Sequence, residues 1–225
     1  MFLLSGHLFH LAWAAKDRAD AQQGANPTAF TEDTSVAIIL AAASTEAFIN
    51  ELAELSSTPQ LPGDQLVPEL LSFEKAWREI EANRGSIRLK YLVASQLLSG
   101  RMFDKGAGPY QDWAMLLELR DRHMHLKAQS IESAGSDSGL GPVVRHPDPV
   151  RQLQQRGIAR ANSREVISWM QALQTSKVAD WACRSALGII DAVLEMVPES
   201  TGFADATLPL KLLFHSAPGI PKPWR

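Results

Sequence analysis

Leu116-Leu117-Glu118-Leu119-Arg120-Asp121-Arg122-His123-Met124-His125-Leu126 is the stretch on which the reading of this chain turns. With Trp113 upstream, the leucines mark a helix that reads as core. Into that helix the sequence sets an arginine, a carboxylate and histidines at close spacing. Arginine can hold a phosphate through its planar fork, and histidine can carry a proton near neutral pH. Asp121 and His125 stand one helical turn apart on one face, so the carboxylate can accept a hydrogen bond from the imidazole and orient it. Arg120 lies roughly 140° around the helix from His125, within reach of a shared anion only through its long side chain. Read blandly, the same residues are a solvated charged face with Asp121 and His125 as an ordinary surface pair. His123, three residues from Arg120, belongs to the same turn.

Working outward, the 3.6-residue period recurs along most of the chain. A first helix is expected from about Phe2 to Gln22, on Leu4, Leu8, Leu11 and Ala15, ending at Gly24-Ala25-Asn26-Pro27. A second runs from Asp33 or Thr34 to about Ser56, on Val36, Ile39, Ala43, Ala47, Ile49 and Leu52. A third spans about Val67–Ala82 and a fourth about Ser86–Leu98, separated by the stop Asn83-Arg84-Gly85. The Arg/His helix starts near Pro109, and a last helix covers about Thr175–Met196. From about 130 to 162 the pattern gives way to Ser, Gly, Pro and Asp, which reads as a loop excursion. The tail from 198 to 225, with Pro209, Pro218, Pro221 and Pro223, reads as extended. No strand pattern and no internal repeat is visible. The expected architecture is one all-α helical domain over residues 1–225.

Composition bounds the function. The chain has 225 residues, 45% of them apolar, enough for a packed core. Its 22 basic and 25 acidic residues leave a net charge of −3, which excludes a broad basic surface for non-specific nucleic-acid binding. Any RNA site must be local or built by assembly. The single cysteine, Cys183, permits neither an internal disulfide nor a cysteine-based zinc site, and fits a reducing cytoplasm. Met1–Ala15 is apolar with Ala12-Trp13-Ala14, but no positive charge precedes it and His7 and His10 interrupt it. It reads as a first helix rather than a signal peptide. No other stretch reads as a membrane span.

Glu46 and Asn50, at i and i+4, are either an outer layer orienting the Arg/His site or an interhelical hydrogen-bonding pair. His7 and His10 could pair on a metal, but no carboxylate cluster accompanies them, so no metal is expected. His146 and His215 stand alone between prolines and read as solvated. Trp13, Trp77, Trp113, Trp169 and Trp181 fall at core positions.

Arg120-Asp121-Arg122-His123-Met124-His125, an arginine, four residues and a histidine, resembles the motif of HEPN domains. Ser44-Thr45-Glu46-Ala47-Phe48-Ile49-Asn50-Glu51-Leu52 is similar to an early-helix run of uncharacterised bacterial members, and Ser176–Ala182 also resembles them. The resemblance covers about 31–197 and leaves out the excursion. It implies a helical bundle, commonly a homodimer apposing two Arg/His helices, and in many members a metal-independent endoribonuclease of defence or toxin–antitoxin systems. Carried over, Arg120 binds the scissile phosphate, His125 acts as acid or base, and Asp121 takes the polar place after the arginine. Glu46, Asn50 and His123 are, from this chain's own residues, the candidates for a supporting layer behind them. No cofactor is implied. RNA and an antitoxin or other partner protein are the implied ligands. The alternative is a non-catalytic dimeric binding or scaffold module of the same fold.

Overall fold

The computed structural model describes residues 3–57, 68–125, 146–161, 168–197, 202–216 and 219–220. These residues form an all-α bundle with the helices α1 Leu4–Ala25, α2 Asp33–Ser57, α3 Pro68–Ala82, α4 Ile87–Ser99, α5 Tyr110–Met124, α6 Asp148–Gln155, α7 Trp169–Leu173, α8 Ser176–Glu195 and α9 Gly202–Phe214. No strand occurs among the described residues. The boundaries follow local chemistry. Ser86 caps α4 by accepting from the Leu89 N–H, and the Thr175 hydroxyl caps α8 by accepting from Val178.

The stop between α3 and α4 has a twist. Arg84, not the glycine, takes the left-handed conformation (φ 51°). Its N–H donates to Glu81 O, and the Gly85 N–H donates to Ile80 O at 2.7 Å, the doubly bonded ending common at helix C-termini. Gly85 is needed for space: a Cβ there would lie 2.5 Å from Ile80 Cγ2 and 3.1 Å from Ile80 O. Gly85→Ala is therefore expected to cost about 1–3 kcal/mol. Arg84→Gly removes left-handed strain and is expected to gain about 0.5 kcal/mol. Urea unfolding of both variants checks the opposite signs.

The chain divides into two compact units, described in turn. Unit 1 comprises Met1–His10, Ala43–Ala114 and Ser185–Arg225. Its core holds Phe9, Phe48, Phe73, Tyr91, Trp113 and Phe214, all fully buried. Unit 2 comprises Leu11–Ala42 and Met115–Arg184, with Ile38, Leu116, Leu119, Val150, Leu153 and Ala172 fully buried. Helix α2 is apolar and long enough to cross a bilayer by composition, with mean hydropathy 1.5 over an 18-residue window; 56% of that window is buried inside the chain, as in a core helix.

Two expectations are corrected. The tail is helical over Gly202–Phe214 despite Pro209 inside it. An internal proline costs about 3 kcal/mol. Thr207, Leu210 and Phe214 recur at helical spacing and are fully buried, and Phe214 packs edge-on against Phe9 (5.3 Å) and Phe48 (5.8 Å). Leu210 and Phe214 each contribute about 1.5–3 kcal/mol, together enough to offset the proline. The excursion is also partly built: Asp148–Gln155 is a helix, burying Pro149, Val150 and Leu153. Arg160 then donates to the carbonyls of Thr28 (2.9 Å) and Ala29 and covers the Phe30 ring at 4.5 Å. The rest of the excursion, 130–145 and 162, and of the tail, 198–201, 217–218 and 221–225, lies outside the described residues.

Candidate functional site

The Arg/His segment lies in unit 2, on the last turns of α5. Leu116, Leu117, Leu119 and His123 point inward, and Asp121, Arg122, Met124 and His125 are exposed. The helical hydrogen bonding reaches His125, whose N–H donates to Asp121 O at 3.0 Å. Glu118, Asp121, Arg122 and His125 thus form one stripe, and with Trp169 of α7 they line a cleft of about 360 Å³.

The carboxylates of this stripe and the arginines beside them are already engaged. Arg122 donates from Nε (3.2 Å) and Nη2 (2.9 Å) to the Glu118 carboxylate one turn before it. Arg120, half-buried, places Nε 2.8 Å from Asp121 Oδ1. The Asp121 carboxylate therefore faces the arginine, and among the described residues no side-chain bond joins it to His125. Attraction to a permanent cation beside it outweighs a hydrogen bond to imidazole one turn away. Arg120 is not among the residues lining the cleft, as its angle on the helix foreshadows.

His123 is structural. It is 9% exposed, donates from Nδ1 to Leu119 O at 2.8 Å, approaches the Ser35 hydroxyl through Nε2 at 3.4 Å and stands edge-on to Trp169. Burial pushes its pKa down, with the bond to the Leu119 carbonyl pulling it partly back. The unfolded chain then takes up this proton before the folded one. Stability from His123 is complete above about pH 6.5, the ordinary histidine value, and falls as pH drops through it. Unfolding free energies at pH 7.5 and 5.5 are expected to show this loss in the wild type and a smaller one in His123→Phe.

The second group of candidates lies in unit 1 and has structural partners there. Asn50, exposed, accepts from Lys90 Nζ at 2.8 Å; that buried lysine also pairs with Glu81 and lies over the Trp77 ring at 5.0 Å. Glu46 is half-buried, and its charge contributes, after burial, to the raised pKa of the Tyr91 hydroxyl. Glu51, from the same run, accepts from the N–H and hydroxyl of Ser5 and so caps α1. Thr45 accepts from Trp113 Nε1 at 3.0 Å, and its carbonyl from the Tyr91 hydroxyl at 2.8 Å. The polar pattern of 44–52 thus ties four helices of unit 1 together.

The other histidines sort as follows. His10 donates from Nε2 to Leu213 O at 2.7 Å, capping the end of α9. His146 and His215, read from sequence as solvated, are both buried. His215 Nε2 lies 2.9 Å from Asp191 Oδ1; burial pushes that carboxyl above its usual range and His215 pulls it back. Sequence spacing carried no sign of this pair, because Asp191 sits on α8 and His215 follows the end of α9. Cys183 is fully buried, and burial pushes its thiol up to about 12. The five tryptophans named above are all buried.

Sequence reasoning passed over three walls of the cleft. Glu118 and Arg122 were legible as an i, i+4 pair continuing to His125 at i+7. Trp169 was not, since it arrives from a separate helix. Chemically, the cleft offers one exposed imidazole, one guanidinium, two carboxylates and an aromatic wall. No group of three or more metal-ligating side chains occurs among the described residues. Compared with known proteins, the chain matches no family model, no curated protein and no solved structure.

Proposed function

We propose that this chain is a HEPN-like, metal-independent endoribonuclease of a defence or toxin–antitoxin type, active as a homodimer in the cytoplasm on single-stranded RNA. One observation supports the reading above the rest: the Arg-x4-His segment borders a cleft, and His125 is exposed in it. In the reaction a base removes the proton of a ribose 2′-hydroxyl. The freed oxygen bonds to the adjacent phosphorus, the bond from phosphorus to the 5′-oxygen breaks, and an acid protonates that oxygen. A guanidinium stabilises the charge that develops on phosphorus-bound oxygen. In this reading His125 exchanges the proton and Arg120 contacts the phosphate. One such histidine per chain serves one role at a time, so base and acid together require two chains.

The dimer has a specific requirement. The apolar side of α5 is spent inside the chain, where Trp113, Leu116, Leu117 and Leu119 are buried. The contact between copies falls to the polar turn Glu118–His125 and the exposed Met124. A standard interface would cover about 1,200–2,000 Å² in total. Light scattering at tens of micromolar is expected to give twice the chain mass of 24.7 kDa. A monomer at high micromolar concentration would remove the two-histidine scheme. The activity itself is tested by incubating RNA with the protein in EDTA and analysing the ends. Products with 2′,3′-cyclic phosphates are expected, and cleavage that EDTA abolishes would refute the metal-independent mechanism.

A second reading, a non-catalytic binding module for a partner protein, is favoured by one feature. Both arginines of the turn already pair with carboxylates of their own helix. Absence of RNA cleavage under all conditions selects this reading.

A further inference from the structure

We infer that Glu118 and Asp121 limit the affinity of this cleft for an RNA phosphate, Glu118 by holding Arg122 and Asp121 by setting a second negative charge in the cleft. The inference rests on the ribonuclease reading and extends it to how the site takes its substrate. Glu118 Oε1 accepts from Arg122 Nε at 3.2 Å and from Nη2 at 2.9 Å. A phosphate oxygen would make the same charge-assisted bonds to the Arg122 guanidinium, so phosphate and the Glu118 carboxylate compete for one set of donors. Glu118 and Asp121 also line the cleft, so an entering phosphate meets their charge directly. A third source of negative potential adds to them. The turn is the C-terminal end of α5, the negative pole of the helix dipole. Opposing these in the cleft are Arg122 and, when protonated, His125. The cleft is therefore close to charge balance rather than a preformed anion site. A polyanion binds by displacing the Glu118 carboxylate from Arg122; the carboxylate swings to solvent at small cost because such an exposed pair is weak.

The test measures binding apart from cutting. In a His125→Ala background, fluorescence anisotropy with a labelled single-stranded RNA gives Kd for the parent, Asp121→Asn, Glu118→Gln and the double variant. Each single change is expected to tighten binding about 2–5-fold and the double change about tenfold at low salt. The gain should fade at 0.5 M salt, where exposed charges are screened over roughly 4 Å. Asp148→Asn is the control for net charge. It removes an exposed carboxylate that pairs with Arg151 on α6 and does not line the cleft. If the parent binds RNA and the variants bind no better, or if Asp148→Asn tightens binding equally, the competitor role is overturned while the ribonuclease reading stands. If no variant binds RNA, the ribonuclease reading falls. A titration of inorganic phosphate followed by ³¹P NMR then decides the competition alone: tighter phosphate binding by the double variant upholds it, and unchanged binding overturns it.

Discussion

His125→Ala is expected to lower metal-independent cleavage of single-stranded RNA by about 10²–10⁴-fold, the usual loss when a positioned acid or base is removed. The helical circular-dichroism signal should stay at the wild-type level, because the side chain is exposed and fills no core space. Arg120→Ala should reduce cleavage as well, through loss of charge stabilisation on the phosphate. It also removes the partner of Asp121, so its stability needs measuring beside its activity. His7 is the appropriate control: it is exposed and lies in the other unit of the chain, and His7→Ala should cut as wild type does. His215 would mislead in that role, since removing it strands the half-buried Asp191 carboxyl. A His125→Ala protein that cuts as fast as wild type would end the ribonuclease reading. Mixing His125→Ala with wild type adds a further check. If base and acid come from two copies, heterodimers should lose activity beyond simple dilution.

Trp113→Ala is expected to produce the largest loss of stability. The indole is fully buried, 4.2 Å from the Tyr91 ring by centroid and edge-on to Tyr110 at 5.3 Å. Its Nε1 donates to the Thr45 hydroxyl. Truncation removes the apolar contact and leaves a cavity, together about 3–5 kcal/mol. For a chain of this size that lowers Tm by about 6–20 °C. Thr45→Val isolates the polar share: it keeps the shape and strands the indole N–H, at about 1–3 kcal/mol. Because these two residues are direct partners, the double variant Trp113→Phe with Thr45→Val should cost less than the sum of the single changes. Full additivity in calorimetry would mean that the hydrogen bond contributes nothing.

Hydrophobic periodicity alone determined the fold class and the long helices of this protein. The stretches expected at about 33–56, 67–82, 86–98 and 175–196 became Asp33–Ser57, Pro68–Ala82, Ile87–Ser99 and Ser176–Glu195. An amphipathic period over three or more turns, closed by caps such as Ser86 and Thr175, is local information that the chain carries by itself. Short or rule-breaking helices were not legible. Trp169–Leu173 spans five residues, and Gly202–Phe214 contains a proline; such helices form because Ala172, Leu173, Leu210 and Phe214 find a core to enter. That energy comes from neighbours far along the chain, so no window of sequence reports it. The candidate site divides the same way. The Arg120–His125 segment and its place at a helix end were readable. Which group each charge meets was a tertiary matter: Asp121 turns to Arg120, His123 sinks against Trp169, and Asn50 serves Lys90. A polar side chain several bonds long can reach several partners at nearly equal cost. Only the packed fold sets which of them lies within 3 Å, and that choice separates a histidine available for chemistry from one that fills the core.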